Sequence, residues 1–177
     1  MYFLASGCLA AEVSPSFILP QKSMLLYPGA WLAEGTTAVG NHAVGIWATR
    51  SSAVLSIELG DFRRFARQHP EVWRYLALLN LENHYRTMGL AHDLMIRGGR
   101  RRLAAIIARM AGLRDEVVPR TLFIDATQAE IADIANLARS VVSGFLKELE
   151  DERIIGLSWG SVEILQPDAL LQKAEAH

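Results

Sequence analysis

The sequence predicts a mixed α and β chain: a roll or sandwich of short strands, one long helix, and a C-terminal winged helix-turn-helix. Three observations carry this. The first half breaks into short apolar or alternating runs, the middle holds a long helical stripe, and TQAEIADIANLARSVVSGFLKELEDERII reads as two short helices around a tight turn with a hairpin behind them.

The strands are expected at 2–4, 9–13, 16–19, 23–27, 44–49 and 53–58, broken by Gly7, Ser14-Pro15 and Pro28-Gly29. An open roll of this kind would expose apolar edges, so it should pair with another chain or dissolve poorly. Leu59-Gly60-Asp61 then starts a short helix, and Pro70 sits where a first turn tolerates proline, opening a helix that runs to about Ile96. Its stripe of Leu76, Leu79, Asn83, Leu90 and Leu94, with Val72 and Met95, is interrupted by Asn80, Asn83 and His84. A buried core helix is the competing reading of that stripe.

The first short helix opens at Thr127 with Glu130 three positions on, the spacing of a reciprocal capping box. Ile131, Ile134 and Ala135 share a face, Ala132 lets a crossing helix approach, and Asn136 suits a left-handed end. The second helix, about 139–151, should bury Val142, Phe145, Leu146 and Leu149 and leave Arg139, Ser140, Ser143 and Lys147 outward. Such a front half fits the major groove, where a recognition helix presents its N-terminal side chains to base edges. Residues 154–157 and 161–165, joined by SWG, then make a two-stranded wing, with Gly160 supplying turn freedom. Read blandly, two amphipathic helices and a hairpin are only a packing unit.

From 97 to about 170, TQAEIADIANLARSVVSGFLKELEDERII and GSVEILQPDAL resemble the C-terminal domain of the Crp/Fnr superfamily of bacterial transcription regulators. The family pattern T-x-x-E-I/L-A, a turn, and S-R-x-T-V-S-R-x-L-K-x-L-E is kept at Arg139, Val142, Ser143, Leu146, Lys147, Leu149 and Glu150. It is departed from at Ala138 for the capping serine, Ser140 for glutamate, Val141 for threonine and Gly144 for arginine. Losing the cap and gaining a mid-helix glycine each cost about 1 kcal/mol, and two missing base-reaching side chains loosen specificity.

MYFLASGCLAAEV, PGAWLAEG and NHAVGIWATRSSAVLSIELGDFRRFARQHPEVWRYL are similar to the later strands and phosphate cassette of that family's cyclic-nucleotide-binding domain, a partial β jelly roll without its earliest strands. Gene loss, a start placed too late and a differently completed barrel are the three explanations. The resemblance implies a truncated cyclic-nucleotide-binding-like roll at 1–69, a long dimerisation helix at 70–96 and a DNA-binding domain at 97–177. In the cassette a glutamate holds the ribose, while an arginine and a small hydroxyl residue hold the cyclic phosphate. Glu34 matches the first, His42 and Ala43 fall at the other two, Gly29 lies beside them, and Thr87 matches a base-facing position. Without the arginine a buried phosphate loses its bidentate partner, so ordinary cyclic-nucleotide binding is not expected and the effector is unknown.

The function implied is a sequence-specific, homodimeric regulator of double-stranded DNA, with RNA polymerase as a further partner. Arg139, Ser140 and Ser143 are expected at base edges, and Lys147, Thr127 and Gln128 at the phosphate backbone. Dimerisation would set two recognition helices roughly 34 Å apart. The alternative is a dimeric structural or protein-interaction remnant that no longer binds DNA, which Ala138 and Gly144 favour and Arg139, Ser143 and Lys147 oppose.

Composition narrows the classes. The net charge of −1 gives no global sign of a polyanion partner, so local charge matters: Arg97, Arg100, Arg101 and Arg102 are placed to approach phosphates or to be a solvated helix start, and Glu148, Glu150, Asp151 and Glu152 should face away. One cysteine, Cys8, allows no intrachain disulfide and no cysteine cluster for iron–sulfur or zinc. The five histidines form no short ligand pair, and no serine has a G-x-S-x-G setting, so neither an enzyme nor a cofactor is expected. No apolar stretch is long enough to span a bilayer and no basic leader follows Met1, so a cytoplasmic protein without membrane attachment is the reading.

Overall fold

The computed structural model describes residues 1–13, 21–32, 44–114 and 120–175. These form two compact units, Met1–His84 and Tyr85–His177.

The first unit holds β1 (Tyr2–Ser6), β2 (Leu9–Val13), β3 (Gln21–Leu26), β4 (Trp31–Leu32), β5 (Val44–Ala48), β6 (Ala53–Ser56) and α1 (Leu59–Gln68). Its strands make two antiparallel three-stranded sheets, ordered β4-β1-β6 and β3-β2-β5. Leu4, Leu9, Ala11, Leu26, Ala30 and Leu32 fill the core between them. Gly7 links β1 to β2 at φ +90, where a side chain would collide with Ser51 and Ser52, so only glycine closes this corner. The expected strand at 16–19 lies outside the described residues. Along β6, at the edge of its sheet, every residue is exposed, Leu55 to 63%.

The long helix α2 (Val72–Leu94) begins in this unit and ends in the next. The stripe read from the sequence does not form a free seam. Leu76 packs on Phe62 and Ala66 of α1, Asn83 Nδ2 donates to the Trp31 carbonyl at 3.3 Å, and Leu90 is buried. A second apolar row of the helix is left outward: Leu78, Leu81, Tyr85 and Met88, each at least 46% exposed, while Met95 of the expected stripe is exposed just past the helix end. The helix is apolar on two faces, so hydropathy alone could not say which one its own chain covers.

The second unit continues with α3 (Gly99–Met110), β7 (Phe123–Ile124), α4 (Gln128–Ala135), α5 (Arg139–Asp151), β8 (Ile155–Ser158), β9 (Ser161–Ile164) and α6 (Pro167–Glu175). Helix α3 buries Leu103, Ala104, Ala105, Ile106, Ile107 and Ala108 in succession, because α6 and α4 enclose it. Its far end is tied to α2 by charge: Asp93, fully buried, accepts from Arg109 Nε at 2.6 Å and from Arg114 Nη2 at 3.2 Å. Gly89 leaves the space in which the Arg109 guanidinium lies against α2. The wing has three strands rather than two, in the order β7-β9-β8, because residues Phe123 and Ile124 pair with Glu163 and Val162. The added strand is too short to show an alternation in the sequence.

Candidate nucleic-acid interface

The helix-turn-helix is built as its sequence dictates. Thr127 Oγ1 accepts from the Glu130 backbone N–H at 3.2 Å, and the Thr127 N–H donates back to Glu130 Oε2 at 2.8 Å, closing the capping box. Asn136 ends α4 in the left-handed region at φ 50, ψ 55. Val142, Phe145, Leu146 and Leu149 then bury one face of α5. As Ala138 foretells, no side chain caps that helix.

What α5 shows to solvent is Arg139, Ser140, Val141, Ser143, Gly144, Lys147 and Asp151, with Thr127 and Gln128 half-buried at the start of α4. Ser140, Ser143, Gly144 and Lys147 recur at three and four residues and line one ridge, which Arg139 joins through Ser143. Arg139 makes no ion pair among the described residues, so its fork is free. Nothing lies within 4 Å of where a Gly144 side chain would start, leaving a gap in mid-ridge.

Lys147 is held differently. Its Nζ lies 3.0 Å from Asp151 Oδ1 and 3.2 Å from Glu150 Oε2, and these two carboxylates, Asp151 foremost, raise its pKa above the usual lysine value. The cation is exposed, yet its charge is largely matched by its own helix. The i+3 and i+4 spacing made this pairing readable in the sequence.

The arginines at the start of α3 also have internal work. Arg100 Nη2 meets Glu148 Oε1 at 2.5 Å, bracing α3 against α5, and Arg102 Nη2 donates to the Asn136 carbonyl at 3.2 Å, closing the C-terminal end of α4. Glu150 Oε1 accepts the Leu157 N–H at 3.3 Å and joins α5 to the wing, while Lys173 pairs with Glu152 at 2.7 Å. Among the carboxylates expected to face away, Glu150 and Asp151 therefore sit beside Lys147.

The wing contributes a residue that motif matching missed. Ser158 pairs with Ser161, and the turn between them is Trp159-Gly160, with Gly160 at φ +74. Trp159 is 99% exposed. A Cβ on Gly160 would come 4.0 Å from Thr127 Cγ2, so the wing tip stands beside the capped start of α4. Its signal was a large aromatic ring inside a two-residue hairpin turn.

The residues expected to line an effector pocket are described only in part. Gly29 is exposed at φ +97, with its N–H donating to the Leu4 carbonyl at 2.9 Å, and Thr87 is exposed on α2. Glu34, His42 and Ala43 lie outside the described residues. Among the described residues no cluster of histidine, cysteine, aspartate and glutamate is suited to a metal, and no helix is long and apolar enough to cross a membrane.

Residues 101–173 match the model of the Crp-like helix-turn-helix domain. No curated protein sequence matches the chain. Among solved structures, FixK2 from Bradyrhizobium japonicum is similar with a TM-score of 0.81 at 17% identity, over 99% of this chain and 87% of that one. A Crp/Fnr-family transcriptional regulator from Thermus thermophilus follows with a TM-score of 0.71 at 17% identity, over 99% and 87%. A cyclic nucleotide-binding domain containing protein from Listeria monocytogenes gives 0.70 at 16%, over 94% and 80%. At these identities the likeness is one of fold. The capped helix pair, its wing and the strands before it thus take their place together: residues 101–173 are a Crp-like helix-turn-helix domain, carried on a chain with the fold of the Crp/Fnr regulators.

Proposed function

We propose that this protein regulates transcription as a homodimer that reads duplex DNA through the front of α5. The observation that carries the reading is the free Arg139 fork beside Ser140 and Ser143, exposed on a helix whose opposite face is fully packed. A guanidinium there matches guanine O6 and N7, and the two hydroxyls suit either base edge or phosphate. Thr127 and Gln128 position the motif on the backbone, and Lys147 adds a phosphate contact only by leaving Glu150 and Asp151.

The dimer rests on the outward row of α2. Leu78, Leu81, Tyr85, Met88, His92 and Met95 follow alternating steps of three and four residues, the spacing of a two-stranded seam. An exposed apolar row of this length in a helix of 23 residues supports a second copy as its cover.

Cyclic-nucleotide sensing in the usual manner is not part of the proposal, since His42 and Ala43 stand where the phosphate-holding pair belongs. Calorimetry should find no sub-micromolar binding of cyclic AMP or cyclic GMP. The decisive experiment selects duplexes from a random pool with the intact protein. An enriched sequence whose preference relaxes in Arg139→Ala supports the reading. If nothing is enriched and Arg139→Ala binds random duplex at low salt as the wild type does, α5 is not a reader. The second reading, a dimeric remnant, then takes over, and the uncapped α5, the gap at Gly144 and the self-paired Lys147 already favour it.

A further inference from the structure

We infer that this chain binds a soft monovalent metal ion of the copper(I) class, held on the two-fold axis of the dimer by His92 from each copy and flanked by the thioethers of Met88 and Met95. The site rests on the homodimer proposed above, and it gives that dimer an effector which a single copy cannot hold.

Spacing supports it first. In the outward row of α2, Leu78, Tyr85 and His92 recur every seven residues, and Leu81, Met88 and Met95 follow them three residues later, which is a heptad seam. Met95 stays in phase although α2 ends at Leu94, because its N–H still donates to the Ala91 carbonyl at 3.2 Å. In a parallel pair, which joint reading of one duplex requires, the residue at the His92 position meets its own copy across the axis. One chain offers one imidazole, and only two chains complete the site.

Orientation is the second support. His92 Nδ1 lies 3.5 Å from Asp93 Oδ1, and Asp93 is itself anchored by Arg109 and Arg114. A carboxylate behind one ring nitrogen is the arrangement that turns the other toward a metal. Among the described residues Nε2 has no partner, and the side chain is 73% exposed. Closing the seam with nothing between the rings would strand both Nε2 atoms in an apolar layer, a cost that a shared ion removes. Ligand type is the third support. Met88 and Met95 lie one turn to either side of His92 and are 57% and 80% exposed, so two copies line the axis with thioethers. Thioether and imidazole together suit copper(I), whereas magnesium and calcium take oxygen ligands. Asp93 and Glu175 balance Arg109 and Arg114 in charge, so the joint behind the imidazole does not repel a cation.

The test titrates the intact protein in oxygen-free, thiol-free buffer with copper(I) and with silver(I), a stand-in that does not change oxidation state. His92→Leu keeps the seam apolar and still pairs. The wild type should take up one ion for each pair of chains more than His92→Leu does, and Met88→Leu should hold that ion more weakly. Ions captured by Cys8 cancel in this comparison, since both proteins keep the thiol. In sedimentation equilibrium the ion should tighten the wild-type dimer about tenfold or more and leave His92→Leu unmoved. Equal uptake by dimeric wild type and dimeric His92→Leu overturns the metal site and leaves the dimer standing. Zinc bound more tightly than silver, with no dependence on Met88, overturns the assignment to a soft ion. A wild type that stays monomeric with and without the ion overturns both site and dimer.

Discussion

Single side chains would decide how this domain meets the duplex proposed as its partner. Lys147 is exposed but clasped by Asp151 and Glu150, which raise its pKa above the usual lysine value. Asp151→Asn should loosen the clasp, and if α5 lies on DNA the slope of log affinity against log salt should steepen by about 0.9 for the one phosphate gained. Anisotropy titrations over a salt series measure this directly, and an unchanged slope would place Lys147 off the duplex. Gly144 and Ala138 set a different balance. A methyl at Gly144 enters open space, and Ala138 has the extended backbone, φ −64 and ψ 139, that a capping serine needs. Gly144→Ala and Ala138→Ser should each stabilise the domain by about 1 kcal/mol in urea unfolding. Both of these weaknesses were legible from residue type. The clasp was also legible in spacing, but it was outweighed by the expectation that acids on α5 point elsewhere.

Among elements, the joint between α2 and α3 depends on one carboxylate. Asp93 is fully buried with two guanidinium partners that are each 16% exposed. Asp93→Ala would strand Arg109 and leave Arg114 only its exposed partner Glu175, and should destabilise the second unit by about 3–5 kcal/mol, whereas removing a surface acid such as Asp61 should change little. Chemical denaturation of the two variants separates the cases. This joint was not readable beforehand, because Asp93, Arg109 and Arg114 are distant in sequence and converge only once α3 folds back. The helix-turn-helix was the opposite case. Its capping box and left-handed Asn136 are local, and its apolar quartet keeps the helical period on the face that α4 and β8 cover, so pattern and structure agree there. In the long helix the expected stripe packs inward at Leu76 and Leu90, as its buried-core reading has it, and which row does so is fixed by α1 rather than by α2 itself.

For the molecule as a whole, the two rows of α2 make separate predictions. Leu81→Lys or Met88→Lys should turn a dimer into a folded monomer in sedimentation equilibrium. Leu76→Ala should leave association intact and lower stability by about 2–5 kcal/mol, because it opens a cavity against Phe62 and Ala66. Monomeric wild-type protein at micromolar concentration would remove the dimer from the proposal. The clasped Lys147 also bears on how such a regulator is shared out inside a cell. Random duplex holds a protein through released counterions, and a genome offers on the order of a million or more such sites for every true one. A reader whose lysine is already neutralised by its own helix forfeits much of that grip. On the proposed function such a protein would spend less time parked on irrelevant sequence and slide less far after each landing, so occupancy of its target would follow copy number and sequence match more closely than the mass of surrounding chromosome.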